Sequence, residues 1–368
     1  MSDKSSVYGS VGVDYETLDA AKRSAVAQAL ATSSMLELHG GRALDGSRGE
    51  SAFIFELEDQ TMAIVLECLG TKSMIAREYE EQTGSDRWAD IAFDSVAAIV
   101  NDLCCVGALP LVVNAYFATG SGDWYGKGTR LESLVAGWRA ACEAAGATWG
   151  GGESPTLPGL IEPNEIDLAG CAVGYVPTGA APILGDDLAP GDAIVLVAST
   201  GLHANGASLA RKVAGDVPGG LTTVLTDGRT LGDALLIPAP IYVSLVRSMI
   251  ESALPVTYLS HITGHGLRKL MRARHDFTYR LDTLPEVPAV LTFLVDTLGM
   301  DTLNSYGTFN MGAGFAVYCR SEAADEVVGL AQDCGLGATV AGIVEEGSRK
   351  VVLGPIGVEF SSEDLELR

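Results

Sequence analysis

Residues 11–39 place apolar side chains at helical spacing and end at His39-Gly40, which predicts an amphipathic helix closed by a glycine. Ser51–Leu57 and Met62–Leu66 flank the polar turn Glu58-Asp59-Gln60 and read as two strands. Glu67–Lys72 reads as a loop, and Ser73–Glu81 opens a helix. Ala89–Val106 is apolar at helical spacing, and Leu111–Tyr116 has the composition of a strand. Leu131–Ala145 is an amphipathic helix with Gly146 as its C-cap, and Asp167–Val176 is a strand.

Pro177-Thr178-Gly179-Ala180-Ala181-Pro182 is a small-residue stretch suited to a domain junction. Beyond it, Ala193–Ala198 reads as a strand, followed by a Gly-rich loop and a helix from Asn205 to Val213. Ile241–Ala253 and Ala323–Cys334 have helical patterns. Thr308–Tyr318 holds a Gly-rich turn and a strand, and Val340–Val352 reads as a hairpin around Glu346-Gly347. Strands and helices alternate in both halves, so the expected fold class is α/β (α+β) in two domains. The boundaries fall at 1–177 and 183–355, with 356–368 as a C-terminal tail.

Of 368 residues, 47% are apolar and 19% charged, which excludes a disordered chain and a small disulfide scaffold. Lys+Arg 24 against Asp+Glu 47 gives a net charge of -23 without a basic run, so no nucleic-acid partner is expected. Asn101-Asp102 interrupts the longest apolar stretch, so no membrane helix is expected. Met1–Val7 is polar and lacks a signal-type core. The seven cysteines form no C-x-x-C pair and read as reduced thiols in a cytoplasmic protein.

Several stretches carry candidate chemistry. Glu67-Cys68-Leu69-Gly70-Thr71-Lys72 joins a strand to a helix. It reads either as an ordinary turn or as a phosphate cradle with a lysine charge and a carboxylate for a divalent metal. Asp94 and Asn101 share a face of an apolar helix and Asp102 follows, as caps, ion-pair partners or ligands. Gly150-Gly151-Gly152-Glu153 reads as a flexible loop or as a backbone cradle ending in a metal ligand. Ser199–Gly206 brings His203, one of five histidines, and Asn205 into a strand-to-helix loop. His261-Ile262-Thr263-Gly264-His265-Gly266 precedes Arg268, Lys269, Arg272 and Arg274, the densest basic cluster in the chain. It reads as a solvated helix face or as the seat of a substrate phosphate.

In order, these stretches resemble the aminoimidazole ribonucleotide synthetase family, the phosphoribosylformylglycinamidine cyclo-ligases. The matching pieces are Gly70-Thr71-Lys72, Val100-Asn101-Asp102-Leu103, Tyr116-Phe117-Ala118-Thr119-Gly120, Gly151-Gly152-Glu153 and Asp167–Gly170. Gly201 with His203 and Asn205-Gly206, His261-Ile262-Thr263-Gly264 and Thr308–Gly312 continue the series, and Tyr8–Asp14 looks like the family's start. Three places depart from its pattern. Glu67-Cys68 stands for Asp-Gly, Ala115 for an Asp, and His265 for a Gly, with Arg268-Lys269 where an acid is usual.

The resemblance implies an N-terminal α/β domain that pairs with its twin in a homodimer, and a C-terminal α/β domain beside it. It implies ATP-dependent ring closure of formylglycinamidine ribonucleotide in purine biosynthesis, with Mg²⁺. On this reading Gly70, Thr71 and Lys72 contact ATP phosphates, and Glu67, Asp102 and Glu153 hold the metal. Asp94, Asn101, Gly151, Gly152, Thr263 and Gly264 bind nucleotide. His203, Asn205 and Lys72 stand at the reacting end. The alternatives are a thiamine-phosphate kinase-like enzyme of the same superfamily and a non-catalytic nucleotide-binding homodimer.

Overall fold

A computed structural model describes residues 15–365, so Tyr8–Asp14 lies outside the described residues. The first half builds a six-stranded sheet. Its strands are β1 (Gly41–Leu44), β2 (Phe53–Leu57), β3 (Gln60–Cys68), β4 (Leu109–Thr119), β5 (Thr148–Glu153) and β6 (Ile166–Tyr175). Their order is β1-β2-β3-β6-β4-β5, antiparallel except for the parallel β4–β5 pair. The helices are α1 (Tyr15–Leu30), α2 (Lys72–Thr83), α3 (Trp88–Cys104) and α4 (Arg130–Ala145). The pattern over 11–39 thus yields α1 and then a 3-10 turn over Ser33–His39.

Helix α3 explains its own sequence. It packs on β3, β4 and β6, against α4, and against the second domain, so Ile91, Val96, Ile99, Val100 and Leu103 are all fully buried. Gly137 of α4 sits where a Cβ would lie 2.1 Å from the Ala89 carbonyl oxygen, so the two helices approach closely only through glycine.

The second half builds a seven-stranded sheet. Its strands are β7 (Ala193–Ala198), β8 (Val256–His261), β9 (Phe277–Leu281), β10 (Ala313–Cys319), β11 (Ala338–Glu346), β12 (Lys350–Leu353) and β13 (Val358–Ser361), in the order β13-β12-β9-β11-β7-β10-β8. Its helices are α5 (Ala207–Asp216), α6 (Leu231–Leu235), α7 (Val243–Glu251), α8 (Ala289–Leu298), α9 (Thr302–Tyr306) and α10 (Ala324–Asp333). Central strands β7 and β10 are covered on both faces and are apolar nearly throughout.

Two expectations are corrected here. Val340–Val352 is not a hairpin, because β9 lies between β11 and β12, antiparallel to the first and parallel to the second. Tyr279 and Leu281 of β9 are fully buried in that slot, and Thr278 Oγ1 donates to Ser348 O at 3.1 Å across the end. Gly150–Glu153 is not a loop but part of edge strand β5. Its glycines answer to neighbours, since a Cβ on Gly152 would lie 1.9 Å from Ala115 O. The 356–368 segment also supplies β13, which pairs with β12.

Candidate active site

The two halves meet where α2 and α3 face the 199–206 loop, the 237–242 segment and the stretch after β8. Thr71 Oγ1 lies 3.0 Å from Ser208 Oγ, and Arg87 donates to Asp233 at 2.8 Å across this seam. A cavity of ≈ 270 Å³ opens there. The end of β3 brings Glu67, Cys68 and Leu69, α3 brings Ala98 and Asp102, and the 199–206 loop brings Asn205. His261, Thr263, Gly264 and His265 follow from the end of β8, and Lys269 and Arg272 from the 3-10 turn over Gly266–Met271 and its C-cap.

The cavity is a charge cluster. His261 Nδ1 is 2.7 Å from Asp102 Oδ1. Burial pushes the Asp102 carboxyl up, but the hydrogen bond and charge of His261, with Lys269 and Arg272, outweigh it and hold it below the usual carboxylate range. Glu67 is pushed up to about 7 by burial and by the neighbouring Asp102 charge. Lys269 is pushed down to about 8, by burial first and then by Arg272. Its ammonium donates to Thr263 Oγ1. Arg272 is anchored by Ser51 Oγ and Gly49 O, each 2.9 Å away. Cys68 is the exposed cysteine of the chain and lines this cavity.

The sequence-derived candidates divide into three groups. Glu67, Asp102, Asn205, Thr263 and Gly264 meet in the cavity, while Gly70 and Thr71 form the turn into α2 at its edge. Gly151, Gly152 and Glu153 do not join them. They are exposed on β5, with β4 and β6 between them and β3, and the Glu153 carboxylate accepts from the backbone N–H of Ser154. Among the described residues no three His, Cys, Asp or Glu side chains gather to hold a metal.

Lys72, Asp94, Asn101 and His203 form the third group, buried behind the cavity. Lys72 and Asp94 are fully buried, with Nζ 2.5 Å from Oδ2. The Lys72 ammonium, expected at the ATP phosphates, is directed at oxygens of the protein. Asp94 and Asn101, expected on the nucleotide, bind the backbone of the second half in this structure. Asp94 Oδ1 accepts from Ala239 N at 2.7 Å. Asn101 donates to Pro240 O and accepts from Tyr242 N, each at 2.8 Å.

His203 has φ +61, a left-handed conformation unusual for a residue with a side chain. Its Nε2 accepts from Thr200 N at 3.2 Å, which assigns the proton to Nδ1. Burial, then the His261 and Lys72 charges, hold the ring well below the ordinary histidine range, so it is neutral. Tyr242 packs beside it. A Cβ on Gly314 would lie 2.0 Å from Tyr242 Oη and 2.9 Å from His203 Cε1.

Sequence reasoning did not find the Asp102–His261 pair or the Asn101 contact to Tyr242 N. The available signal was an aspartate on an otherwise apolar helix, which demands a partner from elsewhere.

Residues 49–176 match the family described as AIR synthase related protein, N-terminal domain, and residues 189–354 match its C-terminal domain. A phosphoribosylformylglycinamidine cyclo-ligase of Methanothermobacter thermautotrophicus is 32% identical over 77% of this chain and 81% of its own length. Another, from Alkaliphilus oremlandii, is 36% identical over 73% of this chain and 78% of its own. The fold is similar to thiamine-monophosphate kinase from Stenotrophomonas maltophilia, with TM-score 0.59, 20% identity and coverage of 83% and 90%. It is also similar to a chain of the HypE–HypF complex, with TM-score 0.59, 17% identity and coverage of 85% and 92%.

Proposed function

This chain belongs to the phosphoribosylformylglycinamidine cyclo-ligase family, and we propose on that premise that it closes the imidazole ring of formylglycinamidine ribonucleotide in an ATP-dependent step of purine biosynthesis. An amide carbon is a poor electrophile. Transfer of the γ-phosphoryl group to the formyl-amide oxygen releases ADP and installs a leaving group. The amidine-side nitrogen then attacks that carbon, phosphate departs, and a proton is lost from nitrogen. Holding nitrogen and carbon in reach makes closure a question of effective molarity.

The observation that carries this reading is the cavity between the two halves, where Lys269 and Arg272 sit with Glu67 and Asp102 beside Thr263 and Asn205. In a chain of net charge -23, paired cations at a seam are where an anionic ribonucleotide is attracted. Lys269 and Arg272 take a phosphate, Thr263 and Gly264 line its seat, and Asn205 orients the reacting amide. Glu67 and Asp102 fit Mg²⁺, a hard cation that uses one or two carboxylates and completes its shell with phosphates and water. When bound, Mg²⁺ neutralises charge on the transferring phosphoryl group. His203, buried behind the cavity, is neutral and keeps an Nδ1–H with no hydrogen-bond acceptor among the described residues, the donor we assign to the reacting end.

The rest of the reading follows the same premise. The domains divide at 177–183, and the enzyme acts in the cytoplasm as a homodimer. Leu66 is 72% exposed on the face of the first sheet opposite α3, and Ile64 and Leu111 are exposed with it, an apolar face that a second copy covers.

The test is turnover of the full chain with formylglycinamidine ribonucleotide, ATP and Mg²⁺, read by mass spectrometry. Aminoimidazole ribonucleotide with equimolar ADP supports the reading. ATP-dependent stabilisation without that product overturns the acceptor and points to a kinase of the same fold.

A further inference from the structure

We propose that Lys72 is a positioning residue, whose buried pair with Asp94 latches α2 and α3 to the loop that carries His203. The inference rests on the reading that places His203 at the reacting end.

The geometry distributes the three ammonium protons. One goes to Asp94 Oδ2 at 2.5 Å and one to His203 O at 2.9 Å, and the third points to Ile237 O at 3.5 Å. An ammonium has three donors and no acceptor, so all three are directed at protein oxygens and none is left for a phosphate. The carbonyl it holds belongs to a residue in a strained conformation, φ +61. Such a conformation persists where its surroundings over-determine it. Here the surroundings are the Lys72 donor on His203 O, the Thr200 N–H on Nε2, and Thr200 Oγ1 donating to Pro238 O at 2.8 Å.

The same pair reaches the second half by its other end. Asp94 Oδ1 holds Ala239 N, and one turn-pair along α3 Asn101 holds Pro240 O and Tyr242 N. The segment 237–242 contains Pro238 and Pro240, which have no N–H to give, and Ala239 N, Pro240 O and Tyr242 N take their partners from α3. Lys72, Asp94 and Asn101 therefore form one clamp between domains. Lys72 opens α2 five positions after Glu67, which lines the cavity, so the residue that holds the His203 loop is tied by a short segment to the cavity wall.

The test separates holding from touching. Lys72→Met is expected to lower kcat by about 10–100-fold, the scale of a small misplacement at a reacting centre, with KM for ATP unchanged. A direct phosphate contact would instead raise KM for ATP and spare kcat, and that result overturns the proposal. Lys72→Met alone leaves Asp94 as an unpaired buried charge and lowers the melting temperature. Lys72→Met/Asp94→Asn removes both charges and keeps an acceptor for Ala239 N. It is expected to recover the melting temperature and not kcat, since His203 O still lacks its donor. Recovery of both shows a merely structural pair and also overturns the proposal. If the wild-type chain makes no aminoimidazole product, the catalytic reading fails separately. The latch is then read from amide hydrogen exchange over residues 200–206, faster in the double variant if Lys72 holds the loop and unchanged if it does not.

Discussion

His261 Nδ1 lies 2.7 Å from Asp102 Oδ1, joining the end of β8 in the second sheet to the C-terminal half of α3 in the first domain. The bond aims the imidazole and holds the carboxylate ionised inside the cavity, so one contact both joins the halves and sets a charge at the cavity. Asp102→Asn keeps the shape and removes the charge. It is expected to lower kcat/KM by about 100-fold, in the range of a lost acid–base or orienting partner. Steady-state turnover against the melting temperature checks this, and an equal loss of both would make the pair structural.

Lys269 predicts a pH dependence. Its ammonium is held at about 8 by burial and Arg272, so the charge offered to a substrate phosphate is lost as pH rises through that value. Wild-type kcat/KM is expected to fall above about pH 8 as Lys269 loses its charge, and separately below about pH 7 as Glu67 takes up a proton. Lys269→Arg keeps its charge and moves the fall upward. Stability runs the other way. Between about 8 and the ordinary lysine value of 10.5 the unfolded chain binds the proton that the folded chain does not, so stability rises with pH across that window. A flat rate profile from pH 7 to 9 would remove Lys269 from the anion seat.

Gly137→Ala tests the contact of α3 and α4. The added carbon meets Ala89 O at 2.1 Å, backbone against backbone, and neither helix can turn aside. A loss of about 1–3 kcal/mol is expected from overpacking, read from chemical denaturation. Wild-type stability would show that the helices separate more easily than this packing allows.

Leu66→Glu tests the open face of the first sheet. The side chain is 72% exposed, so a charge there costs the isolated chain little. Light scattering is expected to show a dimer for the wild type and a monomer for the variant. A dimer in both would move the interface to another face.

The elements were largely legible because they depend on local pattern. Alternation around Glu58-Asp59-Gln60 marked β2 and β3, and the apolar period over 89–106 marked α3 within two residues at either end. Gly146 marked the end of α4 and has φ +66 there. Strand partners were not legible. Nothing local to 338–353 says that β9, some sixty residues earlier, inserts between its two strands.

The site divides along the same line. Glu67, Asp102, Asn205, Thr263 and Gly264 stood out as polar or Gly-rich exceptions in apolar surroundings, and they share a cavity. Lys72, Asp94 and Asn101 stood out for the same reason and lie behind it, bound to backbone. Sequence alone determined which buried positions carry polar groups, because a polar residue on an apolar helix needs a partner wherever the helix packs. Only the tertiary structure decided which partner each one has. A ligand and a neighbouring carbonyl satisfy the same donor, and the choice depends on what the second domain brings within 3 Å.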